Sequence, residues 1–234
     1  MKKIDKRKIA FTLVEVLVTL GIVGVISTLT IPNIISNYQK KVYVAQLQKV
    51  HNQVLNAIEA ILADEEADSL YETSIYCSND SYDDEVFELC NQRAGDFLKK
   101  YFKVAKDCGN DRTDRECLFE SYKNLDGSRS YADRHMRHSY TVVLNTGSVL
   151  SVGFSYNSFP FGVFVDLNGK TGPNIVGRDA FYFQVNHLGK VGESFSSYEE
   201  EKVRHSATNC PSNPQQYGLG CFNKIIQDGW KMDY

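Results

Sequence analysis

Residues 11–31 read FTLVEVLVTLGIVGVISTLTI and form a long apolar run with a single charged residue, Glu15. A helix of 21 residues is about 30 Å long, which matches the hydrocarbon core of a bilayer. The run therefore predicts a membrane-spanning helix. Its carboxylate needs an explanation, because an acidic side chain in lipid costs on the order of 2.5–3.5 kcal/mol at mid-depth and is usually paired.

The ten residues before this run form a basic leader. They hold five Lys or Arg residues against one Asp, a balance of +4. By the positive-inside rule, the N-terminus is predicted to stay in the cytoplasm. The whole chain carries a net charge of −3, so a chain without the +4 leader carries −7. That acidic balance argues against broad binding of nucleic acid, which needs a basic surface.

Two ordinary interpretations of the apolar run fit poorly. A secretory signal peptide has a shorter apolar region of roughly 7–15 residues, followed by an A-x-A-like site that this sequence lacks. A plain membrane anchor explains the length of the run but not Glu15. Cleavage after Ala10 would explain it, because the free amine of Phe11 would be a cation. Glu15 could neutralise that cation within one helix or between neighbouring subunits.

The segment KIAFTLVEVLVTLGIVGVISTLTIPNIISNYQKK, residues 8–41, resembles the N-terminus of the type IV pilin and pseudopilin superfamily. Members begin with a basic leader and a small residue at the cleavage point, followed by Phe-Thr-Leu-x-Glu and a long apolar helix. The resemblance implies that a prepilin peptidase cuts between Ala10 and Phe11 and methylates the Phe11 amine. It also implies that Glu15 pairs with the amine of an adjacent subunit during assembly.

The resemblance carries further expectations. The family usually has Gly before the cleaved bond, so we expect Ala10 to permit processing at a reduced rate. Gly21, Gly24 and Pro32 lie where the family tolerates bending, and Pro32 is the expected kink. The implied partners are a prepilin peptidase, sibling subunits, an inner-membrane platform protein and an assembly ATPase. The implied location is the bacterial inner membrane and, after assembly, a periplasmic or cell-surface filament.

Beyond the apolar run, the hydrophobic period predicts how the chain is organised. Apolar residues recur in steps of three and four at Leu47, Val50, Val54, Ile58 and Ile61, as on one face of an amphipathic helix. The predicted regions are a leader at 1–10, a transmembrane and assembly helix at 11–35, its amphipathic continuation at 36–63, a helix and loop insertion with cysteines at 64–139, and an antiparallel sheet with a C-terminal disulfide loop at 140–234.

The later residues predict the rest of the fold. A second helix is predicted over 86–104. The period then changes to two, and the turn at 145–148 predicts a hairpin, with two more strands at 160–167 and 180–185. We therefore predict an α+β fold in which the long N-terminal helix packs on an antiparallel meander of about four strands. By resemblance, this is the pilin globular domain.

All six cysteines follow the apolar run, as expected for disulfides in an oxidising compartment. Many pairings are possible. Proximity in the sequence suggests Cys108 with Cys117 and Cys210 with Cys221, which leaves Cys77 with Cys90. The resemblance matches the last of these loops along the chain, residues 210–221, to the C-terminal disulfide loop of many pilins.

The stretch DLNGKTGPNIVGRD, residues 166–179, offers oxygen donors from Asp166, Asn168, Asn174 and Asp179. Calcium takes about six to eight oxygens, and some pseudopilins bind calcium in a C-terminal loop, so a calcium site is one interpretation. The stretch lacks EF-hand spacing, however, and Asp, Asn and Gly are also ordinary turn residues. We prefer the interpretation as a structural loop and predict no other cofactor.

The sequence contains no G-x-S-x-G or H-E-x-x-H motif and no phosphate-binding loop, so no enzymatic activity is predicted. The predicted function is a structural subunit that a prepilin peptidase processes and that assembles into a type IV pilus or a type II secretion pseudopilus. One alternative is a membrane-tethered periplasmic or extracellular ligand-binding module that does not polymerise. A second is a secreted enzyme from which the apolar run has been removed.

Overall fold

The computed structural model describes residues 12–77, 84–110, 117–119, 121–130, 139–154, 159–193, 210 and 220–234. The chain divides into two units, Met1–Lys41 and Val42–Tyr234. One helix, α1 (Leu13–Asp64), contributes residues to both units.

The apolar part of α1 exposes its side chains. Between Leu13 and Ile35, its exposed large hydrophobic side chains have exposed fractions of 41–76 %. By length and composition, α1 is the one helix among the described residues that could cross a membrane. The helix runs through Pro32 without interruption, and the kink at this residue stays a prediction.

The second part of α1 buries one stripe of side chains. All five residues of the predicted stripe are buried, and Tyr43, Val44 and Ala57 extend it. They recur every three or four positions because 3.6 residues make one turn. The stripe belongs to the main hydrophobic core of the second unit.

Six strands in the described part of the chain form one antiparallel sheet, in the order in which they occur along the chain. They are β1 (Val104–Asn110), β2 (Ser139–Leu144), β3 (Val149–Gly153), β4 (Phe161–Asp166), β5 (Ala180–Val185) and β6 (Val191–Gly192). The predicted meander of about four strands corresponds to β2–β5. The sheet is therefore wider than predicted, because β1 and β6 add one strand at each edge.

The predicted hairpin connects β2 and β3. Val143 pairs with Val149 next to the turn. The N–H of Gly147 donates to the carbonyl of Leu144 at 2.9 Å, and Gly147 has a φ of +87°. Glycine suits this position because side-chain-bearing residues rarely adopt positive φ.

The second predicted helix is α2 (Asp84–Tyr101), which begins earlier and ends earlier than the predicted range 86–104. Val104 opens β1 instead, where it pairs with Leu144. A short helix, α3 (Cys221–Gln227), lies near the C-terminus and was not predicted. A 3₁₀ turn, Leu70–Glu72, lies between α1 and α2.

Side chains cover both faces of the central strands. Phe181 and Phe183 of β5 belong to the main core, which also contains residues of α1, α2 and α3. Tyr182, which points the other way, packs in a second cluster with Tyr122 and Phe164. Because both faces of the sheet are covered, all six residues of β4 are buried. The fold is α+β, as predicted.

Three disulfides tie the second unit together. The structure pairs Cys77 with Cys90, Cys108 with Cys117 and Cys210 with Cys221, at Cα–Cα distances of 5.5, 6.2 and 4.8 Å. These are the pairings that proximity in the sequence suggested, and no cysteine is left free.

Candidate functional site

Two residues, Thr12 and Glu15, cap the N-terminus of α1. The carbonyl of Thr12 accepts the N–H of Val16 at 3.2 Å, which makes Thr12 the N-cap residue. The Thr12 hydroxyl oxygen accepts the N–H of Glu15 at 3.2 Å, and the Glu15 carboxylate Oε2 accepts the N–H of Thr12 at 2.9 Å. This reciprocal pair is a capping box.

A third bond in the capping box joins the two side chains directly. The Thr12 hydroxyl donates to Oε2 of Glu15 at 2.9 Å. Among the described residues, the carboxylate therefore has two donors, and both come from Thr12. Its negative charge also lies in the first turn of the helix, where the helix dipole favours it. The chain itself thus supplies part of the pairing that an acidic side chain needs in an apolar surrounding.

Other polar side chains of the apolar run are also satisfied within the helix. The hydroxyls of Thr19, Thr28 and Thr30 donate to backbone carbonyls three or four residues earlier, at 2.9, 2.8 and 2.9 Å. Threonine can bond its own helix in this way. Such bonds suit a helix in hydrocarbon, where water cannot satisfy a polar group.

The predicted processing residues lie at the edge of the described structure. Ala10 and Phe11 are outside the described residues, so cleavage and methylation there stay predictions. Glu15 is described and lies in the first turn of α1. The role of Thr12 was not predicted from the sequence, although the T-x-x-E pattern of residues 12–15 is the sequence signature of a capping box.

The two aspartates proposed as calcium ligands are fully buried and accept hydrogen bonds from the protein. Oδ2 of Asp166 accepts the hydroxyl of Tyr122 at 2.7 Å. The carboxylate of Asp179 accepts the N–H groups of Asn174 and Ile175 at 2.8 and 2.6 Å. Burial raises the pKa of Asp166 to about 7 and also raises the pKa of Asp179.

Of the two asparagines in the same stretch, Asn168 holds a turn with its side chain. Nδ2 of Asn168 donates to the carbonyls of Thr171 and Gly172 at 2.6 and 3.0 Å. The Oδ1 atoms of Asn168 and Asn174 are buried and accept no hydrogen bond from the described residues. The described part of the chain contains no cluster of three or more His, Cys, Asp or Glu residues placed to hold a metal. The hydrogen bonds of the two aspartates and of Asn168 support the preferred interpretation as a structural loop, and the calcium site stays an untested alternative.

Comparison with known proteins gives one result, and it concerns the start of the chain. No curated protein and no solved structure matches the chain significantly. A family model described as the prokaryotic N-terminal methylation motif matches residues 5–31, which include the capping box. At its N-terminus the chain therefore carries the prepilin signature of type IV pilins and pseudopilins.

Proposed function

We propose that the chain is a prepilin-like structural subunit that assembles into a type IV pilus or a type II secretion pseudopilus. In this proposal, the precursor sits in the bacterial inner membrane with its N-terminus in the cytoplasm. A prepilin peptidase cuts between Ala10 and Phe11 and methylates the new amine. The observation that carries the proposal is the match of residues 5–31 to the methylation motif.

The exposed apolar side chains of α1 support assembly through this helix. A surface of this size is covered by lipid before assembly and by other apolar helices afterwards. In the filament, these helices would form the core, and the disulfide-bonded second unit of each subunit would face outwards. The platform protein, the assembly ATPase and the sibling subunits belong to the same proposal, in which the subunit has no catalytic role.

Glu15→Gln is the most direct test of assembly through this site. The variant keeps the size of the side chain but removes the negative charge that attracts the Phe11 amine. We expect normal insertion and processing but a fall of about tenfold or more in the amount of subunit in sheared filaments. About 1.4 kcal/mol of lost interaction is enough for that change, and quantitative immunoblotting of the sheared fraction measures it.

The matched control is Glu59→Gln, because Glu59 lies in the same helix and is exposed in the second unit. This control should assemble like wild type. Equal incorporation of Glu15→Gln and wild type would contradict the proposal. A wild-type chain that keeps residues 1–10 and is found only in membranes would favour the tethered binding module instead.

A further inference from the structure

His51 lies where α3 and the last residues of the chain pack on α1. The centre of its ring is 5.8 Å from that of Phe222 in α3 and 5.3 Å from that of Trp230, which follows α3. The planes of the Trp230 ring and the imidazole make an angle of 60°, an edge-to-face arrangement. His51 therefore joins α1 to the C-terminal segment, residues 220–234, through two aromatic contacts.

The imidazole of His51 is poorly placed to carry a proton. Its Nδ1 atom is buried and has no hydrogen-bond partner among the described residues. Burial lowers the pKa of His51, although the adjacent Asn52 side chain favours the charged form. Protonation would therefore put a positive charge into a largely apolar contact, where a buried charge is costly unless it is paired.

Charged groups on the surrounding elements do not provide that pairing. Lys224 and Asp228 of α3 pair with each other at 2.8 Å, and the Glu193 carboxylate accepts the N–H groups at the start of α3. The other titratable residues closest to His51 and Trp230 along the chain are Lys49, Lys231 and Asp233, which are exposed, and Tyr234. In the described part of the chain, no charged group affects the pKa of His51.

Trp230 has a backbone conformation that depends on its surroundings. Its φ is +60°, a value that residues with a side chain rarely adopt. Its N–H donates to the carbonyl of Ile225 at 2.8 Å, and the N–H of Gly229 donates to the carbonyl of Ile226 at 3.1 Å. These two bonds form a Schellman motif, which turns the chain back after α3. Because such a strained φ persists only while the surrounding structure maintains it, the contact with His51 helps to hold this turn.

We propose that His51 is an acid-sensitive latch: its neutral ring holds Trp230 and the end of the C-terminal segment against α1, and its protonated ring releases them. The latch lies within the second unit, so it depends on neither cleavage nor assembly. Release would expose Trp230 and also Met232, which is buried in the main core. The second unit would thereby gain an apolar surface in acidic surroundings.

The direction of the pH dependence follows from the lowered pKa of His51. The folded state holds this proton less tightly than the released state. The latch is therefore fully closed above the ordinary pKa of 6.5 and opens as the pH falls through the lowered value. The Cys210–Cys221 disulfide and the bonds of Glu193 still hold the start of α3, so the opening is confined to the residues that follow it.

Trp230 is the single tryptophan of the chain, so its fluorescence reports on this contact. The experiment uses the full-length chain in detergent micelles at pH 7.5 and pH 5. The acrylamide quenching constant measures how accessible the Trp230 ring is. In the wild type, we expect this constant to rise about twofold or more at pH 5, as for a local opening, and to return to its first value at pH 7.5.

Two substitutions of His51 remove the titrating group. His51→Gln and His51→Phe should show no rise at pH 5, because neither side chain gains a charge. Phenylalanine also keeps an aromatic ring in the contact, so it serves if glutamine impairs folding. The matched control is His187→Gln. His187 also stacks on an aromatic ring, that of Tyr71 at 5.4 Å, but it lies between β5 and β6, so this variant should keep the wild-type rise.

A second measurement follows the proton itself. In a chain with ¹³C-labelled histidine, an NMR titration gives the pKa of His51, whose signal is identified by its absence in His51→Gln. Trp230→Leu removes the indole that covers the imidazole. Because burial lowers this pKa, we expect the pKa of His51 to rise towards its ordinary value of 6.5 in Trp230→Leu.

Several results would overturn the latch. An equal quenching constant at both pH values in the wild type would show that nothing opens. A wild-type rise in both His51 variants, or its loss in His187→Gln, would assign the effect to another group. A His51 pKa that stays the same or falls in Trp230→Leu would mean that the indole does not exclude the charged form and even stabilises it. A wild type that loses its circular dichroism signal at pH 5 would show unfolding of the whole unit instead of local release.

Discussion

At the scale of single residues, Glu193 shows how a buried carboxyl group organises part of the second unit. Its side chain is 1 % exposed. Its carboxylate accepts the N–H groups of Gly220, Phe222 and Asn223 at 2.6, 3.3 and 3.1 Å. The Nδ2 group of Asn223 in turn donates to the Glu193 carbonyl at 3.2 Å. Glu193 therefore caps α3 from a distance of about 30 residues along the chain and fixes the segment that follows the Cys210–Cys221 disulfide.

The buried carboxyl of Glu193 predicts a pH dependence of stability. Burial raises its pKa to about 8, although the N–H donors of α3 oppose the rise. Because the folded state holds this proton more tightly than the unfolded state, the contribution is complete below the ordinary pKa of 4.5 and is lost as the pH rises through about 8. Wild type should therefore lose on the order of 1–3 kcal/mol between pH 5 and pH 8 through this group.

Urea denaturation of the full-length chain in detergent at pH 5 and pH 8 measures this loss. Glu193→Gln should flatten the difference in the free energy of unfolding between the two pH values, and the exposed control Glu59→Gln should keep it. His51 titrates in the opposite sense, because burial lowers its pKa, and Asp166 acts in the same direction as Glu193. The contributions of His51 and Asp166 to the pH dependence are the same in wild type and in the variants, so they cancel in the comparison. An unchanged pH dependence in Glu193→Gln would contradict this assignment.

At the scale of elements, the sequence predicted those parts whose pattern is local. The buried stripe of α1 follows from apolar residues at helical spacing. The β2–β3 hairpin follows from alternating residues around a turn that contains Gly147, and β4 and β5 follow from two runs of apolar residues. In each case neighbouring residues carry the whole signal.

Three elements differ from the prediction because distant residues shape them. β1 has no apolar alternation, is half exposed and becomes a strand by pairing with β2. α2 ends at Tyr101, before β1 begins at Val104. β6 has only two residues and pairs with β5. Gly220, the residue before α3, has no side chain that could cap the helix. Glu193, from another part of the chain, supplies the cap instead. Only the folded chain reveals such nonlocal partners.

The candidate site likewise contains one residue that the sequence predicted and one that it did not. Glu15 was found because one acid in an apolar run is conspicuous. Thr12 was missed because threonine is common in such helices and its role depends on hydrogen bonds with Glu15. The calcium hypothesis rested on residue types alone, and the structure assigns hydrogen-bonding roles within the protein to both aspartates.

The loop at 166–179 gives a test at this scale. Both aspartates already accept protein donors, so we expect 1 mM Ca²⁺ to leave the thermal midpoint of the purified chain unchanged relative to EDTA. A site with a dissociation constant of about 10 µM would add about 2.7 kcal/mol under these conditions, which is readily detected. A saturable rise in the midpoint that Mg²⁺ does not reproduce and that Asp179→Asn abolishes would establish the calcium site and contradict our interpretation.

At the scale of the whole molecule, the two units suit different surroundings. The first exposes the apolar side chains of α1, which favours lipid or other apolar helices. The second has its own hydrophobic core and three disulfides, as expected of a domain that folds in an oxidising compartment. The proposed cleavage would remove residues 1–10 from the first unit and would leave the second unit unaltered.

Determining the N-terminal residue of the mature protein is the most direct test of this account. Mass spectrometry of the protein isolated from the membranes and sheared filaments of its native host determines the first residue and any modification of its amine. We expect a chain that begins at Phe11 and carries one added methyl group on that amine. A filament-associated chain that still begins at Met1 would contradict the account, because Glu15 would then have no amine at Phe11 with which to pair.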